Sequence, residues 1–148
     1  MIVCHLRKQV VLFTHTHTHT DSIFDIPIFS KLYEFYKTLT SAITSFPKTK
    51  RYTLGQKLDN ITLEILELLF SIPVNENKYL ILKKISVKLD ILKILVRLSK
   101  DTQCLREDKY LVLQASLAEI GKMLGGWIRS HENLSSKRLS EEPTSSSD

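Results

Sequence analysis

Basic side chains are the residues of this sequence whose types and spacing best suit a chemical task. Lys83, Lys93, Arg97 and Lys100 recur at helical spacing along one side of the stretch 76–101. At about 1.5 Å per residue, this basic lane would extend over roughly 25 Å. Phosphates of a nucleic-acid strand repeat at intervals that such a lane can follow. An ordinary solvated helix face is the alternative, and Asp90 within the lane favours it.

A second basic cluster at the start of the second helix, formed by Lys48, Lys50, Arg51 and Lys57, lies near Tyr52. No base-reading or stacking motif accompanies either basic group, so we expect contacts with phosphates that tolerate any nucleic-acid sequence. The formal net charge is +5, and residues 25–131 hold 17 Lys and Arg against 11 Asp and Glu. The positive charge therefore belongs to the body of the chain, which favours an RNA or DNA partner.

Side chains that could bind a metal ion or carry catalysis are few. His15, His17 and His19 alternate with threonine, so an extended chain would point all three one way and could hold Ni²⁺ or Zn²⁺. A disordered tail, or an upstream extension from a misassigned start, is the alternative. His131 is the one histidine of residues 25–131, which contain no E-x-x-H, H-E-x-x-H, phosphate-loop or G-x-S-x-G pattern. We therefore predict no enzymatic activity, no catalytic residues, no metal site and no cofactor.

Cysteine content and hydropathy indicate the cellular setting. Cys4 and Cys104 form neither a disulfide framework nor a pair at metal-ligand spacing, which favours the reducing cytoplasm. Cys104 has no histidine nearby in sequence, so we interpret it as a half-buried small residue rather than a nucleophile. No apolar run approaches 18 residues, so the sequence predicts no membrane-spanning segment.

Four helical segments must position the basic side chains. We predict them from about Asp25 or Pro27 to Ser45, from about Thr49–Thr53 to Pro73, over 76–101, and from about Glu107 to His131, with Pro47 and Pro73 ending the first two. Short connections make consecutive helices antiparallel. The sequence thus predicts an all-α, antiparallel up-down-up-down four-helix bundle over residues 25–131 with disordered N- and C-terminal tails. Residues 1–24 are the low-complexity N-terminal extension, and residues 132–148 are the Ser-rich C-terminal tail.

Apolar residues at steps of three and four mark the core-facing side of the first helix. The predicted stripe is Phe29, Leu32, Tyr36, Leu39, Ile43 and Phe46. The fourth helix carries a line of small residues, Ala118, Gly121 and Gly125. Glycine within a helix costs about 1 kcal/mol relative to alanine. We therefore expect these positions to allow the close approach of another helix backbone.

The third segment is apolar on two faces. One seam consists of Leu82, Ile85, Leu89, Leu92 and Val96, and the other of Leu80, Val87, Ile91, Ile94 and Leu98. A helix on the outside of a small monomer needs a single apolar stripe. We therefore predict self-association, with one seam in the bundle core and one against another protomer. The spacing leaves open which seam does which, and we assign Leu80, Val87, Ile91, Ile94 and Leu98 to the oligomer interface.

Three motifs in chain order resemble the accessory variability determinant (Avd) family of diversity-generating retroelements. They are Phe46–Gly55 (FPKTKRYTLG), Leu89–Leu98 (LDILKILVRL) and Glu119–Ile128 (EIGKMLGGWI). The same four-helix-bundle superfamily includes the ribosomal-RNA intervening-sequence proteins. The GQKL after Thr53-Leu54 and the tryptophan Trp127 favour the Avd branch.

The resemblance implies a function. Avd proteins form homopentameric rings, have no known catalysis, and bind the retroelement's reverse transcriptase and nucleic acid through a basic surface during mutagenic retrohoming. The basic positions of this sequence that match the family are Arg51, Lys93, Arg97, Lys122 and Arg129. The alternative is a structural four-helix bundle of the intervening-sequence type, whose role the sequence does not name.

Overall fold

The structure, a computed structural model, describes residues 26–74 and 77–140. Within these two ranges the chain forms four long helices and no β-strand, which confirms the predicted all-α fold. The helices are α1 (Pro27–Ile43), α2 (Gln56–Ser71), α3 (Lys78–Asp101) and α4 (Glu107–Ser140). The predicted N-terminal extension with its three alternating histidines and the last residues of the Ser-rich tail lie outside the described residues.

Each helix packs against two others, so that α1 contacts α2 and α4, and α3 contacts the same two helices. One core fills the space between them. Its fully buried large side chains come from every helix: Leu32, Phe35, Leu39, Phe46, Leu58, Ile65, Leu82, Ile85, Leu89, Leu92, Leu113 and Leu117. The core thus consists of aliphatic residues with two phenylalanines, at the spacing that amphipathic helices provide.

Half of the core stripe predicted for α1 is shifted by one residue in the structure. Ile28, Phe35 and Ala42 are buried, whereas the predicted Phe29, Tyr36 and Ile43 lie at its edge and are only partly covered. Both sets step by three and four residues along a helix, so periodicity alone cannot separate them. At the edge, the hydroxyl of Tyr36 reaches a polar partner: burial and hydrogen bonding with Asp59 raise the pKa of Tyr36.

The two apolar seams of α3 have opposite surroundings. Leu82, Ile85, Leu89, Leu92 and Val96 are at most 1% exposed and belong to the core. Leu80, Val87, Ile91, Ile94 and Leu98 are 41–67% exposed on the outer side of the same helix. We call this second set the outer strip. The structure therefore answers which seam the core uses, and it leaves the predicted interface residues at the surface.

The chain enters α2 through irregular helical turns. Pro47 precedes a short α-helical turn, Lys48–Lys50, which is followed by a π-helical segment, Arg51–Gly55. The segment brings Gly55 against the end of α1, because a Cβ atom at this position would lie 2.9 Å from Cγ2 of Ile43. Single π-helical turns occur mostly inside α-helices and often at functional sites.

Gly55→Ala should lower the free energy of unfolding by about 1–3 kcal/mol, the usual cost of overpacking a filled site. The added methyl group would meet a β-branched side chain that cannot swing away without shifting α1. Gly126→Ala is the matched control, since a Cβ there meets nothing within 4 Å. We expect the control to gain up to about 1 kcal/mol from helix propensity. Urea unfolding followed by circular dichroism measures both, and a Gly55→Ala midpoint at or above that of the unaltered protein would refute the close approach.

The last helix is longer than the sequence predicts. α4 continues through residues 132–140 to Ser140, which corrects the prediction that a disordered tail begins at residue 132. Neither proline nor glycine occurs between Trp127 and Pro143, so nothing in the sequence forces the helix to stop at His131. Despite the length of α4, none of the helices in the described ranges has the apolar length that a membrane crossing requires.

Candidate functional site

The outer strip is an apolar row on the surface of α3, in which Val87, Ile91, Ile94 and Leu98 follow one another at steps of three and four residues and Leu80 lies two turns before them. From Leu80 to Leu98 it extends over about 27 Å at 1.5 Å per residue. Val87 and Ile94 near its middle are 60% and 67% exposed. Single exposed apolar residues are normal on protein surfaces, but an uninterrupted row such as Val87 to Leu98 is typical of an interaction surface.

Every cation of the basic lane lies near a carboxylate. The ion pairs are Lys83–Glu132 at 3.3 Å, Lys93–Asp90 at 3.3 Å, Arg97–Asp101 at 3.7 Å and Lys100–Glu107 at 3.2 Å. Two of these carboxylates come from α3 and two from α4. The lane is therefore a row of alternating charges, as the solvated-face alternative predicts, and a phosphate has to compete with the carboxylates. Exposed ion pairs are weak enough for such an exchange.

One of these pairs is supported by a tyrosine. Hydrogen bonding from Tyr79 and then from Lys83 lowers the pKa of Glu132. Hydrogen bonding with Tyr79 and then with Glu132 raises the pKa of Lys83, whose ammonium group also lies 5.3 Å from the centre of the Tyr79 ring. Both shifts favour the charged forms, so this end of the lane is ionised on both sides at neutral pH.

The side chain of Lys93 crosses the small-residue line of α4. A Cβ atom built on Gly121 would lie 3.3 Å from its Nζ, and Gln114 Nε2 donates a hydrogen bond of 3.1 Å to its carbonyl oxygen. A Cβ on Gly125 would approach only Arg129. The expectation that these glycines admit a helix backbone is therefore wrong within the described chain, where side chains are their nearest neighbours.

Three residues of the second basic cluster differ in role, because Arg51 is structural whereas Lys48 and Lys50 are free. Arg51 Nη2 donates hydrogen bonds to the carbonyl oxygens of Thr44 at 2.7 Å and Phe46 at 3.3 Å, and so satisfies acceptors at the end of α1. Lys48 and Lys50 are exposed, and no carboxylate of the described residues lies within ion-pair distance of them. These two lysines can therefore meet a phosphate without giving up an existing partner.

Lys122 and Arg129, the two positions that came from the family resemblance, lie on the exposed side of α4. Over the described part of the chain neither has a carboxylate at ion-pair distance. The nine predicted nucleic-acid-binding residues thus fall into three groups. Lys83, Lys93, Arg97 and Lys100 are paired with carboxylates, and Arg51 caps α1. Lys48, Lys50, Lys122 and Arg129, which we call the unpaired cations, have no carboxylate of the described residues at ion-pair distance, although Lys122 interacts electrostatically with Glu119 and Arg129 with Glu132.

Metal-binding side chains do not cluster in the part of the chain that the structure describes: no group of three or more His, Cys, Asp or Glu there could hold a metal ion. Cys104 is buried and free, with its sulfur 3.4 Å from the hydroxyl of Thr102. The alternating histidines of the N-terminal extension lie outside the described residues.

Comparison with protein families identifies the family to which the chain is related. A family model described as bAvd-like matches residues 27–131, which include α1, α2, α3 and most of α4. The chain belongs to the bAvd-like family. Membership confirms the resemblance drawn from the three motifs, which lie at the entry to α2, within α3 and within α4. No curated protein matches the chain.

Proposed function

We propose that this protein is the non-enzymatic accessory protein of a diversity-generating retroelement. In this role it binds the reverse transcriptase of the element and its RNA or cDNA, and it supports mutagenic retrohoming in the cytoplasm. The observation that carries the proposal is membership of the bAvd-like family over residues 27–131. The exposed outer strip and the unpaired cations are the surfaces that such a protein needs.

The proposed architecture is an antiparallel up-down-up-down bundle. Polar contacts between α3 and α4 support it, because residue numbers rise on one helix as they fall on the other. The contacting pairs are Lys83 with Glu132, Lys93 with Gln114, and Lys100 with Glu107. In this arrangement the outer strip lies on the side of α3 that points away from the other three helices.

The proposed assembly is a homopentamer that buries the outer strip. Neighbours in a five-membered ring are not related by a two-fold axis, so the strip of one protomer must meet a different surface of the next. Exposed apolar side chains outside α3 supply candidates for that second surface: Leu111 and Val112 on α4, and Phe70 on α2. Burial of a 27 Å apolar row against such a surface supports assembly through the hydrophobic effect.

Nucleic acid in this proposal contacts the unpaired cations first. Lys48, Lys50, Lys122 and Arg129 offer charges that no carboxylate within the described ranges neutralises at ion-pair distance. A phosphate contact carries no base information, so binding should tolerate any sequence. A ring repeats each cation around the assembly, and repetition of a weak contact raises the overall affinity.

Co-purification with a reverse transcriptase tests the proposed function. The gene beside the one for this protein should encode a reverse transcriptase and lie next to a near-repeat pair of sequences. Co-expressed with that enzyme, the tagged full chain should retain it through a salt wash and a sizing column. A neighbouring ribosomal-RNA gene without a reverse transcriptase, or an enzyme that elutes alone, would favour the structural bundle of the intervening-sequence type instead.

A further inference from the structure

Tyr52 is the large aromatic side chain that the fold leaves most open. It is 66% exposed, more than any other aromatic residue in the described ranges. Its hydroxyl has no hydrogen-bond partner there, and no cation lies over its ring. The other tyrosines of these ranges are less exposed. Packing within the described ranges therefore does not explain why a large aromatic residue occupies position 52.

The π-helical segment that carries Tyr52 is anchored to the bundle on both sides of this residue. Arg51 turns back to the carbonyl oxygens at the end of α1, and Gly55 lies against Ile43. Both neighbours are thus fixed to the bundle, while Tyr52 between them remains exposed. A ring held on such a fixed turn loses little conformational freedom when a ligand covers it.

Two free ammonium groups precede the ring. Lys48 lies four residues and Lys50 two residues before Tyr52, and both are exposed. Both lysines therefore lie within about one helical turn of Tyr52 along the chain. In contrast to the basic lane, carboxylates of the described residues do not pair with these lysines. An aromatic ring beside unpaired cations is the combination that binds single-stranded nucleic acids.

The surface next to the ring favours a base over a phosphate. Tyr52 lines an open cavity of about 310 Å³ together with Arg51, Gln56 and Asp59. Arg51 donates its hydrogen bonds to the carbonyl oxygens of Thr44 and Phe46, whereas the carboxylate of Asp59 repels a phosphate and accepts hydrogen bonds from the N–H groups of bases. The uncharged base thus fits the cavity side of Tyr52, and the charged backbone fits the lysine side.

We propose that Tyr52 is a stacking platform for one base of a single-stranded RNA or DNA, with Lys48 and Lys50 contacting the adjacent phosphates. The proposal rests on the nucleic-acid binding proposed above. It adds the place on the protein where a base binds and a preference for single strands over duplexes. A duplex keeps its bases stacked on each other, so the face that Tyr52 would cover is open only in a single strand.

Affinity measurements on full-length variants test the platform. The ligands are a fluorescent 12-nucleotide oligouridine and an RNA duplex of the same length. Tyr52→Ala should weaken oligouridine binding about tenfold and leave the duplex unaffected, since stacking on an aromatic ring contributes on this order. Tyr52→Phe keeps the ring face and should bind as the unaltered protein does. Tyr33→Ala is the matched control, because it removes an exposed aromatic side chain of α1 whose neighbouring Lys37 already pairs with Glu34.

Salt dependence separates the ring from the lysines. Tyr52→Ala should leave the slope of log affinity against log salt unchanged, because it removes no charge. Lys48→Gln combined with Lys50→Gln should reduce that slope by about 1.4, at roughly 0.7 for each phosphate contact with a single strand. Circular dichroism confirms that each variant is folded before its affinity is compared.

Four results would overturn the platform. Equal oligouridine binding by Tyr52→Ala and the unaltered protein refutes stacking while leaving nucleic-acid binding intact. An equal loss for the duplex refutes the preference for single strands, and a loss with Tyr52→Phe as large as with Tyr52→Ala assigns the effect to the hydroxyl group. Absence of any nucleic-acid binding by the unaltered protein refutes the platform and the nucleic-acid part of the proposed function together.

Discussion

Val87→Asp combined with Ile94→Asp should convert the assembled protein into folded monomers. Both side chains lie in the middle of the outer strip, 60% and 67% exposed on the bundle, so the aspartates disturb no core contact within a protomer. At an apolar interface, by contrast, an uncompensated charge costs about 3–5 kcal/mol. The dissociation constant should therefore rise at least about a hundredfold. Light scattering behind a sizing column measures the mass, and circular dichroism measures the helix content.

Ser41→Asp combined with Asn60→Asp is the control for this experiment. It adds the same two negative charges at exposed polar positions of α1 and α2. We expect this control to keep the mass of the unaltered protein, because neither position belongs to the outer strip. If the strip variant retained the full mass, or if the control dissociated equally, the outer strip would not be the interface.

Lys48→Glu combined with Lys50→Glu should weaken nucleic-acid binding more than Lys93→Glu combined with Arg97→Glu. The first pair of lysines is free, so each reversal removes an available phosphate contact and adds a repulsive charge. Hydrogen bonds to charged groups contribute about 1.5–3 kcal/mol each. The first variant should therefore lose affinity on the order of a hundredfold. Lys93 and Arg97 already share their charge with Asp90 and Asp101, so their reversal should cost less.

The comparison is made with the 12-nucleotide oligouridine at several salt concentrations, which separates lost charge contacts from changes in folding. A single reversal, Lys37→Glu, serves as a control on α1, where Lys37 lies 2.8 Å from Glu34 and outside both basic groups. A larger loss from the Lys93 and Arg97 variant would make the basic lane the main phosphate surface. Equal binding by all variants would show that neither pair of basic residues contacts the nucleic acid.

The sequence predicts the two-faced character of α3 because apolar residues at helical spacing identify seams without any knowledge of the fold. It cannot say which seam is buried, since Leu82 and Leu80 belong to rows of equal length and similar hydropathy. The packing of α2 and α4 beside α3 decides that question. The same ambiguity explains why the predicted core stripe of α1 differs from the observed one. Phe35 and Tyr36 both fit the helical period, but the hydroxyl of Tyr36 lies at the polar edge of the core.

The sequence predicts only two of the four ion pairs in the basic lane. Asp90 and Asp101 lie three and four residues from their cations, a spacing that predicts contact on a helix. Glu107 and Glu132 come from α4, and their pairing with α3 depends on how the two helices meet. Spacing within one helix therefore overestimates the free positive charge of the lane.

The platform at Tyr52 depends on a π-helical segment that residue propensities do not predict. A π-turn holds one residue more than an α-turn, so it changes which side chains face the bundle without altering composition. Gly55 was the sequence signal that could have indicated a close approach at this turn, and its contact with Ile43 is visible only in three dimensions. The exposure of Tyr52 on this anchored turn is therefore also visible only in three dimensions.

Mass measurement on the unaltered full-length chain tests the central claim most directly. The protomer has a mass of 17.1 kDa, so a homopentamer that buries the outer strip has five times this mass, about 86 kDa. Light scattering over a range of micromolar concentrations should give that value and hold it on dilution. A mass near 17.1 kDa at every concentration would contradict the account, because the outer strip would then face water with no partner.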